Sequence, residues 1–386
     1  MRIRAATLNV WALPGPLAQD VARRIKAIGE RVAALELDVV AFQEVFRSDA
    51  REVLVAAGRR AGLINSSHQG SGVPGGGLLT LSRLPIEAAH FERYSLRGHV
   101  EEVQTGEYLS GKGFGELQLR TSEGPITFIN THLHARYKKD FDHEFEAQRM
   151  AQIVQLSSSS AFTPHPVIAA GDFNFAEDQI GYSVFTGLTG LRDAAAELDL
   201  RAPTVELSNP YRRRQQRPKR IDYVFHRDGV SRSVKARDAV RVFDDPLPIR
   251  SRLRACSNHW GVLAEFDIEP RIETPLPAPL AWALGEASRL LAQGRTAAEQ
   301  RRRKLRGLSG VGLASVLAAT AGGRSPVVSR RKLLRLSLRG AALLALTPTL
   351  GYSMLSEIFV PTEIHAFKDA EAQLAKLGRE VGLLHS

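Results

Sequence analysis

Apolar and polar positions follow two rhythms over the first 269 residues. Short apolar or β-branched runs predict strands over residues 4–10, 38–43, 78–82, 116–119, 126–130, 167–170, 220–226 and 261–266. A helical spacing places Val21, Ile25, Ile28, Val32 and Leu35 on one face of a helix over 18–35, and 143–157 reads as another helix. The runs at 116–119 and 126–130 form a hairpin around Ser122-Glu123-Gly124, and 70–77 is a glycine-rich loop. Many strands with few helices between them predict two packed mixed β-sheets flanked by helices, a four-layer α/β sandwich.

The rhythm breaks near Glu269. Pro270, Pro275, Pro277 and Pro279 make a linker unsuited to regular structure, which divides the chain into a domain at 1–269 and a mainly helical extension at 270–386. The extension predicts a helix over 280–305 and two apolar stretches. One, at 307–321, is rich in small residues; the other, at 340–360, contains Pro348 and Glu357. Neither is an unbroken span of about 20 apolar residues. Clusters of Arg and Lys flank both, as in segments that lie on or dip into a membrane; a pair of helices packed on each other or on the first domain has the same pattern.

Charge sharpens this division. The net charge is +11, yet residues 1–269 hold 35 Lys/Arg against 33 Asp/Glu, while 270–386 hold 17 against 8, so the basic excess belongs to the extension. Basic runs at 301–306 and 330–339 suit anionic lipid headgroups or nucleic acid. The nearly neutral first domain counts against a nuclease, which needs a basic groove, although Tyr211-Arg212-Arg213-Arg214 through Arg220 is a local basic loop. The single cysteine, Cys256, excludes an intramolecular disulfide and any Cys-based zinc site. Met1 leads directly into a strand with no signal-peptide pattern, so the expectation is a cytoplasmic protein or one on the cytoplasmic face of a membrane.

The candidate chemistry sits at strand ends. Gly171-Asp172-Phe173-Asn174 follows an apolar strand; Asp172 and Asn174, two residues apart, can hold a water and a phosphoryl oxygen, and the same tetrapeptide also suits an ordinary turn. Glu44 follows a buried run, where a carboxylate must reach solvent, pair, or bind a cation such as Mg²⁺. Asn9 ends the first strand, as a metal or phosphate ligand or as a turn former. His132 and His134 share one strand face, His132 as a catalytic or phosphate-binding group and His134 as its support. His259 and the distant Asp222 have the composition of a general base and its orienting carboxylate.

These motifs, in this order, resemble the endonuclease/exonuclease/phosphatase superfamily over residues 3 to about 268. Leu8-Asn9-Val10-Trp11, Ser110-Gly111-Lys112-Gly113, Asn130-Thr131-His132-Leu133-His134-Ala135-Arg136-Tyr137 and Gly190-Leu191-Arg192-Asp193-Ala194 are similar to neutral sphingomyelinases. The resemblance implies a phospholipid-headgroup phosphodiesterase of the sphingomyelinase C type, with Mg²⁺ (or Mn²⁺ in its place) at Glu44, Asn9 and Asn258. It implies Asp172 and Asn174 holding the water and phosphate, His259 with Asp222 activating the water, and His132 binding phosphate or assisting the leaving group. The final box departs from the family's Ser-Asp-His: Ser257-Asn258-His259 keeps the shape and loses a charge. A phospholipid substrate and a membrane surface are thus the expected partners. The alternatives are a Mg²⁺-dependent endonuclease on the same fold and a weakly active or inactive membrane-binding homologue.

Overall fold

The computed structural model describes residues 1–69, 77–102, 106–136, 145–212, 217–324 and 331–380. The glycine-rich loop read at 70–77, save its last residue, and the start of the helix read at 143 lie outside the described residues. The first half of the chain forms β1 (Arg2–Ala12), α1 (Val21–Ala34), β2 (Val39–Val45), α2 (Ser48–Arg60), β3 (Asn65–Gln69), β4 (Leu78–Ser82), β5 (Ile86–Arg93), β6 (Gly113–Thr121), β7 (Gly124–His132) and α3 (Glu146–Ser160). There follow β8 (Val167–Asp172), α4 (Ile180–Thr189), β9 (Arg192–Asp193), α5 (Ala194–Glu197), β10 (Asp222–Arg227), β11 (Arg232–Val242), β12 (Leu247–Ile249), β13 (Arg252–Arg254) and β14 (Gly261–Pro270).

Two six-stranded sheets run in the orders β11-β14-β1-β2-β4-β3 and β5-β6-β7-β8-β10-β9. Each is mixed: β1–β2 and β7–β8 are parallel, whereas β1–β14 and β8–β10 are antiparallel. The period-two alternation of β1 explains the layering. Ile3 and Ala5 join Phe128, Ile168 and Phe266 in the core between the sheets, while Ala6, Leu8 and Val10 join Ile25, Ile28, Val32 and Leu54 of the covering helices. Burying each large apolar side chain contributes about 1.5–3 kcal/mol. On the other side, Phe185 of α4 meets Phe225 of β10 edge-on at 5.2 Å. The expected four layers are present.

The inter-sheet face turns polar toward one edge. Along β2 the inward series is Val39, Ala41, Gln43; along β7 it is Ile126, Phe128, Asn130, His132; along β8 it is Ile168, Ala170, Asp172. Gln43 Nε2 donates to Asn130 Oδ1 at 2.9 Å and to Thr7 Oγ1 at 3.0 Å, and Asn130 Nδ2 donates to Thr80 Oγ1 at 3.2 Å. These buried amides satisfy one another across the sheets and form a polar floor where the apolar core ends.

After β14, residues 271–280 hold no regular structure, and α6 runs Ala281–Arg324. The chain divides into one compact unit, Met1–Ala287 with the chain from Gln373 onward, and a second, Ser288–Ala372. The first unit therefore extends past β14. Leu280 N donates to Gly187 O at 2.8 Å, and a Cβ on Gly187 would lie 2.8 Å from that of Ala283, so only glycine lets α6 approach α4 so closely.

In the second unit, the rest of α6 packs antiparallel to α7 (Lys332–Met354), a π turn (Leu355–Phe359) and α8 (Val360–Glu380) as far as Ala372. Arg306 Nε donates to Glu357 Oε1 at 2.6 Å, Ser309 and Ser353 hydroxyls bond at 2.6 Å, and Gly312 admits Thr349. Pro348 lies inside α7 without ending it. Two described helical stretches, Ala281–Gly322 and Leu336–Arg379, are long and apolar enough to cross a membrane.

Candidate active site

Strand direction alone collects the polar residues. The parallel strands β1, β2, β7 and β8 end at the same edge, and the antiparallel strands β10 and β14 begin there. His132 pairs in register with Asp172, and Asp172 with Asp222, so three chemically active side chains are adjacent across one sheet.

Asp172 is the hub. Its Oδ2 accepts from Asn9 Nδ2 at 3.0 Å and lies 3.4 Å from His132 Nε2 and 3.9 Å from His259 Nδ1. Its Oδ1 accepts from Asn174 N at 3.1 Å. Asn9 Nδ2 also donates to Glu44 Oε1 at 2.9 Å within the first sheet, so Asn9 links that sheet to Asp172 of the second. His259 Nδ1 lies 2.9 Å from Asp222 Oδ2, with Asp222 fully buried and His259 nearly so. The carboxylate can only accept, so it fixes the proton on Nδ1 and leaves Nε2 as the basic nitrogen.

The backbone is strained at three of these strand ends. Trp11, Glu44 and Asn174 have φ of +50°, +56° and +51°. Left-handed conformations of non-glycine residues cost of order 1–3 kcal/mol and persist where side chains over-determine them. Here Asn9 Oδ1 accepts from Trp11 N at 3.0 Å, and Asp172 Oδ1 from Asn174 N, so two of the strained turns are held by site residues.

Of the residues singled out in the sequence, Asn9, Glu44, His132, Asp172, Asp222 and His259 converge. Asn174 stands beside them with its amide turned away, Nδ2 donating to Leu133 O at 2.9 Å. His134 faces elsewhere: its Nδ1 bonds Ala135 O at 2.7 Å. Asn258 is held by Ser257, whose Oγ lies 3.3 Å from Asn258 Oδ1 and donates to Asn9 O at 2.5 Å. Among the described contacts its amide reaches neither Glu44 nor Asn9.

Burial and neighbouring carboxylates set the electrostatics of the site. Burial, then the charge of Asp222, pushes the Asp172 carboxyl up to about 7. Burial opposes protonation of His259, but Asp222 and Asp172 together outweigh it and raise the imidazole above its ordinary value. Burial and the nearby Lys112 hold His132 well below its ordinary value, so it is neutral near pH 7.

Three carboxylates lie here, and Glu44 Oε2 is buried with no hydrogen-bond partner among the described residues. The Glu44 and Asp172 oxygens on either side of Asn9 are hard donors that fit Mg²⁺, whereas Asn9, read in the sequence as a ligand, turns its Nδ2 to both carboxylates and its Oδ1 to Trp11 N. Asp172, Asp222 and His259 also bring one ligand atom each within 4.8 Å of one another. In that trio, however, Nδ1 of His259 is already committed to Asp222, so the Glu44 side of Asp172 is the better cation seat.

Three further residues organise the site, and although Lys112 and Arg212 fall in segments singled out in the sequence, none was read there as a site residue. Arg24, fully buried, donates to the carbonyls of Val10 (2.8 Å), Trp11 (2.8 Å) and Cys256 (3.0 Å), tying the end of β1 to the His259 loop. Lys112 Nζ donates to Glu107 Oε1 at 2.7 Å and to Leu133 O at 3.0 Å, the carbonyl that also holds Asn174. Arg212 Nε donates to Asn258 O at 3.0 Å. Each partnership spans loops or distant strands, which spacing alone does not reveal.

Comparison with known proteins agrees with this geometry. The profile of the Endonuclease/Exonuclease/phosphatase family matches residues 6–259. A Drosophila melanogaster protein provisionally named a neutral sphingomyelinase is 30% identical over 287 residues, covering 72% of this chain and 64% of the relative. The inositol phosphosphingolipids phospholipase C of Schizosaccharomyces pombe is 32% identical over 199 residues, covering 50% and 46%. The chain thus spans between about half and two thirds of the length of these relatives. Sphingomyelinase C from Streptomyces griseocarneus shares the fold, with a TM-score of 0.52 and 18% identity over 69% of this chain and 99% of that one.

Proposed function

The chain belongs to the endonuclease/exonuclease/phosphatase family, and we propose that it is a divalent-metal-dependent phosphodiesterase that cleaves the headgroup of a sphingolipid with water. The observation that carries this reading is the pairing of His259 with Asp222 beside the Asn9, Glu44 and Asp172 cluster, at one edge of both sheets.

In this reading His259 accepts a proton from the attacking water at Nε2, while Asp222 holds the Nδ1–H tautomer and stabilises the imidazolium that forms. Glu44 and Asp172, positioned by Asn9, would hold Mg²⁺, or Mn²⁺ in its place; when bound, such an ion neutralises charge on a phosphoryl oxygen. Asp172, fixed by Asn9, His132 and Asn174 N, aligns the water with His259. His132 stays neutral and buried, so it supports Asp172 rather than supplying a proton to the leaving group. Asn258 acts through its backbone, not as a ligand.

The substrate class follows the relatives' names, which share a sphingolipid phosphodiester and differ in headgroup. The second unit brings the enzyme to the bilayer: exposed Val311, Leu317, Leu343 and Leu344 lie on its apolar helices, and clustered Arg and Lys suit anionic headgroups. The test is a substrate panel: sphingomyelin vesicles, inositol-phosphosphingolipid vesicles and supercoiled plasmid, each with Mg²⁺. Release of a water-soluble phosphate ester from either lipid without nicking supports the reading. Nicking alone makes the protein a nuclease.

A further inference from the structure

The basic loop around Arg212 remains unexplained by this chemistry. Its last arginine, Arg220, is consumed structurally: its guanidinium pairs with Asp193 at 2.5 Å and Glu177 at 2.8 Å. Arg24 is likewise saturated by carbonyls. Arg212 differs. Its segment is docked on the His259 loop by two bonds, Asn209 Nδ2 to Ser257 O at 2.9 Å and Arg212 Nε to Asn258 O at 3.0 Å. That leaves its two terminal nitrogens without a hydrogen-bond partner among the described residues, on a half-buried side chain. Glu44, Asp172 and Asp222 all act on its charge, and its charge in turn acts on His259. A guanidinium held through Nε on the His259 loop, within electrostatic reach of the site carboxylates, is placed to meet an anion entering that site.

We infer that Arg212 is the phosphoryl-binding residue of the site, its two terminal nitrogens taking the non-bridging oxygens of the substrate phosphate. The inference rests on the diesterase reading for its substrate. The chemistry is direct. An anionic diester entering a pocket with three carboxylates is repelled unless cations face it, and a planar fork matches two phosphoryl oxygens as an ammonium does not. Charge on those oxygens grows as water attacks, so the same contacts strengthen toward the transition state. Asn258 fits this role. Arg212 is held by the carbonyl of that residue, and a neutral amide there leaves the guanidinium's charge to the substrate, where an aspartate would compete for it.

Arg212→Met and Arg212→Lys test the inference on the full chain, with inorganic phosphate as the probe. Phosphate binding is followed by calorimetry with and without Mg²⁺, and turnover by diester hydrolysis. Losing a charged hydrogen bond predicts a phosphate dissociation constant raised roughly 10–100-fold in Arg212→Met. Arg212→Lys should recover part of the binding but less of kcat, since it keeps charge and loses the fork. kcat/KM should fall roughly 10²–10³-fold in Arg212→Met, with the Mg²⁺ midpoint unchanged. A purely structural Arg212 would shift melting temperature and Mg²⁺ midpoint together and leave Arg212→Lys like wild type; that result overturns the inference, as does unaltered phosphate binding in both variants. If the wild type binds phosphate through Arg212 yet hydrolyses no sphingolipid, the inference stands and the substrate reading falls.

Discussion

His259 and Asp222 form a buried pair, Nδ1 to Oδ2 at 2.9 Å, although 37 residues separate them in the chain. The pair is set by β10 beginning, and the turn into β14 arriving, at the same edge. Asp222→Asn would present an amide to Nδ1 and release the tautomer. Turnover should fall roughly 10²–10⁴-fold, the scale general-base catalysis supplies, with little change in KM, and His259→Ala should lose at least as much. Steady-state kinetics on a soluble diester decides this; near-wild-type kcat in either variant removes the pair from the mechanism.

Among the described residues, Glu44 Oε2 has no hydrogen-bond partner. Glu44→Gln keeps the shape and removes the charge, so the Mg²⁺ concentration for half-maximal thermal protection should rise roughly 10–100-fold or more, the scale seen even for outer-shell changes. The variant without metal should be as stable as wild type or more so, because a crowded carboxylate is gone. An unchanged midpoint would place the cation elsewhere.

Asn9, Glu44, Asp172, Asp222 and His259 were all legible in the sequence because each is a polar residue at one end of an apolar strand, the first three near the ends of β1, β2 and β8 and the last two at the start of β10 and just before β14. Their convergence was not, since it depends on which strands run parallel. Of the strands that escaped notice, β3, β5, β9 and β11 are the four edges of the two six-stranded sheets, and β12 and β13 form a short separate pair. β5 is mostly exposed, so its Ile86–Arg93 sequence carries no alternation to read. Arg24 escaped, and the roles of Lys112 and Arg212 were not read from the segments that contain them, for a different reason. Their partners are mostly backbone carbonyls, which leave no spacing pattern. The boundary read at Glu269 marks the end of the last strand, whereas the compact unit continues to Ala287.

That difference yields a prediction about truncation. A chain ending at 287 retains the contacts of Pro277, Leu280 and Ala283 with α4, while one ending at 269 exposes Gly187 and Gly190. The shorter chain should be less stable by about 2 kcal/mol or more, given the apolar area uncovered. The longer one should keep hydrolysis of a soluble diester and lose rate on vesicles. Equal losses on both substrates would tie the helical extension to the chemistry itself.

Acid should destabilise the fold through its buried neutral histidines. Burial holds His134 down at about 4, against an ordinary value of 6.5 in the unfolded chain. Between those values the unfolded chain binds the extra proton, so the contribution is intact above pH 6.5 and is lost as pH falls toward 4, by about 1.4 kcal/mol per pH unit. His132 is lowered in the same sense. Urea unfolding at pH 7, 6 and 5 should show a shallower acid slope for His134→Gln than for wild type; parallel slopes would contradict the assignment.

The most direct test of the whole account is release of water-soluble phosphate ester from sphingolipid vesicles by the full chain, with Mg²⁺ present and with Mg²⁺ chelated, for wild type and His259→Ala. The account predicts release by wild type that requires the cation and is abolished in His259→Ala, whose circular dichroism remains native. Release that survives chelation, or that His259→Ala retains, would contradict it.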